Sequence, residues 1–169
     1  MNAKTCALVL CLMLISGSAF AQSEQKEIAI LEIGGAVSQT VTSGAGSSGG
    51  PTVAVEYTPI ENKLELEAGV TPLFTAHSTE WDVDLLFKKP WTLSKKVEFM
   101  AGVGPEWIHV NENHVATNAA GAEGALDFMF WPSPKRKFGW YLEPAYDYSF
   151  GAGHEQSIGI SGGLLITIR

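Results

Sequence analysis

The chain has 169 residues, 46% of them hydrophobic and 17% charged, with 18 glycines and a formal net charge of −7. This length favours a single domain, and the apolar content is too high for a disordered chain. The acidic balance argues against nucleic acid as a partner, because nucleic-acid binding needs a basic surface. Beyond the N-terminal segment, no apolar run reaches the roughly 18 residues that a membrane-spanning helix requires.

The first residues have the composition of a secretory signal peptide. Lys4 provides a positive charge, residues 7–15 form an apolar stretch, and residues 19–21 (AFA) match the small-residue cleavage rule. We therefore predict a cleaved signal peptide at 1–21 and a mature domain at 22–169. Both cysteines, Cys6 and Cys11, lie in the removed segment, so the mature domain would have no disulfide and no cysteine-based site.

The rest of the chain alternates apolar with polar or small residues at a period of two, which is typical of strands with two different faces. Most of the alternating runs have nine residues or more, which suits a tilted strand that crosses a bilayer. Eight strands are predicted, at residues 27–40, 51–59, 63–75, 79–89, 95–110, 117–131, 137–150 and 155–168.

The predicted connections fall into two classes that alternate along the chain. Short turns are expected at 58–62, 89–94 and 132–135, and loops rich in Gly, Ser or Asn at 42–50, 76–79, 111–116 and 151–154. Because the number of strands is even, both termini lie at the short-turn end. We predict an all-β fold, an eight-stranded antiparallel up-and-down transmembrane β-barrel at 22–169, preceded by the signal-peptide helix.

Alternation alone allows two orientations of the strand faces. The apolar face could meet lipid, or it could line the ligand cavity of a soluble periplasmic lipocalin-like barrel that binds an apolar ligand. Volume favours the first, because an eight-stranded barrel is just wide enough inside for small side chains. The aromatic residues also form two bands, as interfacial girdles do. Those expected near the loop end are Trp81, Trp107, Tyr146, Tyr148 and Phe150, and those near the turn end are Phe87, Trp91, Phe130, Trp131, Phe138 and Trp140.

Basic and acidic residues are expected in different parts of the barrel. Basic residues map mostly to the short-turn end: Lys26, Lys63, Lys88, Lys89, Lys95, Lys96, Lys135, Arg136, Lys137 and Arg169. The carboxylates expected in the lumen are Glu32, Glu56, Glu65, Glu67, Asp82, Asp84, Glu98, Glu106, Glu123, Asp127, Glu143 and Asp147. Few basic partners face them, with Lys88 near a rim, so we expect some to be protonated, solvated or cation-bound. A filled polar lumen is the prediction, and a cation-selective pore is the alternative.

Three segments, VEFMAGVGPEW (97–107), GALDFMFWPSP (124–134) and residues 139–165, resemble small eight-stranded outer-membrane β-barrel proteins of Gram-negative bacteria. The resemblance covers 22–169. It implies a monomer in the cell outer membrane with periplasmic termini. It also implies contact with outer-membrane lipid and, during biogenesis, with the barrel assembly machinery and periplasmic chaperones. Many such barrels end on an aromatic residue, whereas this chain ends on Arg169.

A more distant similarity to lipid A deacylase barrels implies the catalytic candidates Asp147, Ser149 and Glu155. That family uses a His-x-Ser pair on a late strand with a nearby Glu, and Asp147 stands here at the position of the histidine. A carboxylate is a poor base toward a serine hydroxyl. We therefore interpret the chain as a non-enzymatic barrel with a structural or surface-interaction role, and keep a lipid A-modifying hydrolase as an alternative.

The four histidines, His77, His109, His114 and His154, all map to the loop-end rim. Imidazole and carboxylate groups suit Zn²⁺ or a similar metal, but their spacing matches no established metal motif. We expect solvated loop histidines and no cofactor, with a rim metal site as the alternative.

Overall fold

A computed structural model describes residues 29–42, 46–112 and 115–169. The predicted signal peptide and its cleavage point lie outside these described residues. The eight strands are β1 (Ala29–Thr40), β2 (Ser47–Ile60), β3 (Leu64–Phe74), β4 (Ser78–Ser94), β5 (Val97–Glu112), β6 (Val115–Phe130), β7 (Phe138–Ser149) and β8 (Gln156–Ile168). Nowhere in the described ranges does a helix have the length and apolar character needed to cross a membrane.

The strands form one closed barrel in which each strand pairs with the next along the chain. Closure comes from antiparallel pairing of β1 with β8, from Ala29 opposite Ile168 to Thr40 opposite Ser157. Because the sheet closes on itself, it has no free edge that could pair with another chain. The prediction of an all-β, eight-stranded up-and-down barrel is confirmed.

Two strand ends differ from the prediction by more than two residues, and the others agree with it to within two. β2 begins at Ser47, inside the predicted glycine-rich loop, and β4 continues to Ser94, through the predicted turn. The glycines of the first segment allow close packing, since a Cβ on Gly50 would lie 1.8 Å from the backbone oxygen of Pro72. In β4, Pro90 does not end the strand, because the pairing with β5 continues on both sides of it. The turn to β5 is therefore reduced to residues 95–96.

The seam between β1 and β8 depends on glycine. Gly34 and Gly163 lie opposite each other, and a Cβ on Gly163 would lie 2.2 Å from the backbone oxygen of Ile33. Any larger residue at position 163 would push the two strands apart at the point where the barrel closes.

Large apolar side chains cover the outside of the barrel. Val103 and Leu164, in the middle of their strands, are 67% and 63% exposed. The predicted aromatic bands flank this surface, and Trp91 stacks on Phe99 with ring centroids 5.5 Å apart. The outward orientation of the apolar face is therefore confirmed, and the inward orientation of a lipocalin-like ligand cavity is wrong.

Trp131 is an exception to the predicted girdle. Its backbone N–H donates to the Lys96 oxygen, which continues the β5–β6 pairing by one residue. Alternation then places Phe130 outside, stacked on Trp140 at 4.0 Å, and Trp131 inside, where it is 1% exposed. Placing Trp131 in the outer band was wrong, because the alternation extends one residue beyond the strand.

Candidate functional site

The lumen is the part of the barrel where polar chemistry is concentrated. Strand alternation brings the predicted inward carboxylates to the interior, where they are buried or half-buried. Most of them lie in two groups at different heights, above an apolar base at the short-turn end.

The base of the lumen is filled by an apolar plug, consisting of Ile30, Met100, Met129, Trp131, Tyr141 and Leu165. Below it, the Arg136 guanidinium lies 5.7 Å from the centre of the Trp131 ring and 2.6 Å from Glu98 Oε2. These side chains occupy the short-turn end of the lumen. Their packing favours the predicted filled lumen over a water-filled pore.

Above the plug lies a lysine cluster, which we define as Lys88 with Glu56, Glu67, Asp127 and Glu143. The Lys88 ammonium donates hydrogen bonds to Glu67 and Glu143. It also lies 3.7 Å from Glu56 Oε1 and 3.5 Å from Asp127 Oδ2. The placement of Lys88 near a rim was wrong, since its side chain is fully enclosed by these acids.

The position of Lys88 follows from strand parity. Asp82, Asp84 and Leu86 of β4 all point inward, and Lys88 continues the same series. The other described basic residues keep their predicted places, with Lys63, Lys95 and Lys96 in short turns. Lys26 lies outside the described residues.

The loop-end half of the lumen is an acidic chamber. Its opening is a cavity of about 460 Å³ lined by polar and apolar residues, with the carboxylates of Glu80 and Asp147 among them. A narrower cavity of about 70 Å³ continues inward past Asp84, Glu106 and Glu123. Within the described part of the chain, no ion pair joins a basic side chain to the chamber's carboxylates, which are Glu80, Asp82, Asp84, Glu106, Glu123 and Asp147.

The candidate hydrolase residues Asp147, Ser149 and Glu155 line the chamber opening together. Asp147 Oδ2 accepts a hydrogen bond from Ser157 at 3.2 Å, and Ser149 Oγ accepts one from the backbone N–H of Gly151 at 3.2 Å. The acid and the serine therefore have other hydrogen-bond partners. Their catalytic role stays an untested alternative.

His109 and His154 at the rim each contact a different neighbouring side chain. His109 Nδ1 lies 2.9 Å from Asn118 Oδ1, and its ring stacks on Trp107. His154 Nδ1 lies 3.2 Å from the Tyr148 hydroxyl.

His77 and His109 line one shallow surface cavity, and His114 lies outside the described residues. Among those described, every group of three or more close ligand atoms consists of carboxylates. The expectation of solvated loop histidines and the alternative of a rim metal site both stay untested.

No family model and no curated protein matches the chain. Solved structures do match. Neisserial surface protein A (NspA) has a TM-score of 0.69 at 11% identity, over 83% of this chain and 97% of that one. OprG from Pseudomonas aeruginosa has a TM-score of 0.61 at 10% identity, over 85% of this chain and 97% of that one. Ail, the attachment invasion locus protein of Yersinia pestis, has a TM-score of 0.56 at 11% identity, over 85% of this chain and 100% of that one. The chain therefore has the eight-stranded antiparallel barrel fold of small outer-membrane proteins.

Proposed function

We propose that this chain is a non-enzymatic barrel of the outer membrane, with its termini in the periplasm and a structural role in the membrane. The observation that carries the proposal is the continuous apolar surface around the barrel. Contiguous apolar surface of this kind is rare on water-soluble proteins and matches the lipid-facing band of outer-membrane barrels.

The height of the apolar surface supports membrane insertion. On β5, Phe99 stacks on Trp91 of the lower aromatic band, and Trp107 belongs to the upper band eight residues further along the strand. With a rise of about 3.3 Å per residue and a strand tilt of about 40°, the two bands are separated by roughly 20 Å. This separation is close to the height of about 25 Å that such barrels present to lipid.

A structural role is favoured over a large surface contact because the loop-end connections are short. The described strands leave connections of only a few residues, at 41–46, 75–77, 113–114 and 150–155. A stable protein–protein interface needs about 800 Å² on each partner, which loops of this length supply poorly. The filled base of the lumen likewise favours a structural barrel over a pore.

Membrane location is tested by fractionation. The full chain, with its own signal segment, is expressed in a Gram-negative host, and the outer membrane, inner membrane and periplasm are separated. We expect recovery in the outer-membrane fraction, with a folded band that changes its gel mobility on boiling. Recovery in the detergent-free periplasmic extract would contradict the proposal.

Orientation is tested with single cysteines introduced into a variant that lacks Cys6 and Cys11. Ser133→Cys lies in the short turn before β7, and Ala152→Cys lies in the loop before β8. A membrane-impermeant maleimide added to intact cells should label position 152 and leave position 133 unlabelled. The reverse pattern would overturn the assignment of the termini to the periplasm.

The hydrolase alternative has a direct test of its own. Expression of an active lipid A hydrolase would change the mass profile of lipid A, and Ser149→Ala would abolish the change. We expect the same profile with and without the folded protein. A change that depends on Ser149 would replace the structural role with an enzymatic one.

A further inference from the structure

Three carboxylates meet on adjacent strands in the acidic chamber. Glu106 of β5, Glu123 of β6 and Asp147 of β7 each place a carboxylate oxygen within 4.8 Å of the other two. The sheet register produces this meeting, because Glu123 lies opposite Asp147, and Glu106 lies opposite Gly121 on β6, two residues before Glu123. We call these three residues the acidic triad.

Glu106 is buried, and one of its carboxylate oxygens has no hydrogen-bond donor among the described residues. The residue is 7% exposed, and the oxygen concerned is Oε2. An ionised carboxylate in such a place is costly unless a hydrogen bond or a positive charge compensates it. The missing partner therefore points to a ligand that is positively charged or donates hydrogen bonds.

The backbone leaves space for this carboxylate. Gly121 lies beneath Glu106, and a Cβ on Gly121 would lie 2.7 Å from Glu106 Oε2. The nearest backbone atom, the oxygen of Tyr148, would be 3.1 Å away. A side chain at position 121 would therefore displace mainly the carboxylate, and the glycine keeps Glu106 in the triad.

No basic side chain in the described ranges forms an ion pair with the triad. Lys88 is held by Glu67 and Glu143 in the lysine cluster, and no described ion pair involves a member of the triad. An external cation has a route, because Asp147 lines both the open cavity and the narrower one that contains Glu106 and Glu123.

A similar group overlaps the lysine cluster, since Glu32 has an oxygen within 4.8 Å of oxygens of Glu56, Glu67 and Asp127, which are also that close to one another. The Lys88 ammonium already lies among these acids, and it would repel a second cation. The triad lacks such a charge, so it is the better site for an external cation.

We propose that the acidic triad binds one Ca²⁺ ion, which enters from the loop end of the barrel. Ca²⁺ prefers oxygen ligands, accepts six to eight of them in irregular arrangements and tolerates carboxylates bound through one or two oxygens. Three carboxylates supply most of such a shell, and water in the chamber supplies the rest. The proposal is independent of the structural role.

Binding is tested on barrel refolded in zwitterionic detergent without lipopolysaccharide and treated with EDTA. Isothermal titration with CaCl₂ should give one ion per chain. Glu106→Gln and Asp147→Asn should each weaken the affinity by about tenfold or more, because affinity depends on the number of charged ligands. Gly121→Ala should also weaken it, although it leaves every carboxylate in the sequence.

Glu112→Gln is the matched control, since it removes one negative charge at the exposed loop end of β5 and does not line the chamber. It should bind Ca²⁺ as the unmodified chain does. Equal binding by all variants, or no binding by the unmodified chain, would overturn the proposal.

The urea midpoint of unfolding provides a second readout, because its response to Ca²⁺ should differ between the unmodified chain and the Glu106→Gln variant. In EDTA, Glu106→Gln should raise the urea midpoint, because it removes repulsion within the triad. Added Ca²⁺ should raise the midpoint of the unmodified chain and leave that of the Gln variant nearly unchanged. A Ca²⁺ effect of the same size in both proteins would place the ion elsewhere and refute the site.

Discussion

Replacement of Lys88 by Met tests the interior of the barrel most severely. The substitution keeps much of the side-chain volume but removes the cation from among Glu56, Glu67, Asp127 and Glu143. At the distances of 3.5 and 3.7 Å to Asp127 and Glu56, each attraction is about 4.5 kcal/mol at an effective dielectric constant of about 20. Desolvation offsets much of this attraction, and removing one partner of a buried ion pair typically costs about 3–5 kcal/mol.

We therefore expect Lys88→Met to lower the free energy of unfolding by about 3–5 kcal/mol. Urea titration of the refolded barrel in lipid vesicles, followed by tryptophan emission, measures the change. Lys89→Met is the matched control, because Lys89 points outward on the same strand, and loss of a surface charge should cost about 1 kcal/mol or less.

A compensating variant distinguishes the stability lost through uncompensated charge from the stability lost through altered packing. Adding Glu67→Gln and Glu143→Gln to Lys88→Met removes the two carboxylates that accept hydrogen bonds from the ammonium, and should restore much of the lost stability. If Lys88→Met costs no more than Lys89→Met, the lysine cluster does not stabilise the barrel and the reasoning is refuted.

Two further substitutions test the outer surface and the seam. Val103→Arg, in the middle of the apolar surface, should lower the free energy of unfolding in vesicles by about 2–4 kcal/mol. Val115→Arg, at the loop end, should lower it by at most about 1 kcal/mol. Equal losses would contradict a lipid-facing position for Val103. Gly163→Ala should prevent closure of β1 on β8 and abolish the heat-modifiable folded band. Gly159→Ala should fold, because its Cβ would lie 3.6 Å from the nearest backbone oxygen. A normal folded band from Gly163→Ala would contradict the close approach at the seam.

The sequence was sufficient to predict the barrel, because each strand has a clear alternation and the connections alternate between short turns and glycine-rich loops. Side-chain volume then identified the outer face. Boundaries were less certain where glycine or proline interrupted the pattern, as at the start of β2 and in β4. In both places the pairing partner, which the sequence alone does not reveal, extended the strand.

The sequence predicts which carboxylates face the interior, but it does not predict how they are arranged there. The inward carboxylates were identified from parity, but their division into a lysine cluster and an acidic chamber depends on register between strands. Lys88 carried a usable signal, since it shares the parity of Asp82 and Asp84. Trp131 also carried a usable signal, since the predicted strand 117–131 makes it the neighbour of Phe130, and adjacent residues of a strand face opposite sides.

The acidic triad could not have been found from sequence alone. Glu106, Glu123 and Asp147 are far apart along the chain and come together only through the pairing of β5, β6 and β7. The role of Gly121 is equally hidden, because only the packed structure shows that a Cβ there would meet the Glu106 carboxylate.

Lipid quenching of individual tryptophans tests the central claim, a barrel with its apolar surface in lipid and its polar residues inside. Trp81, Trp91, Trp107 and Trp140 are each more than 40% exposed on the outside, whereas Trp131 is 1% exposed in the plug. In single-tryptophan variants refolded into vesicles of brominated lipid, the four outer tryptophans should be strongly quenched and Trp131 should keep its emission. Strong quenching of Trp131, or unquenched emission from the outer four, would contradict the account.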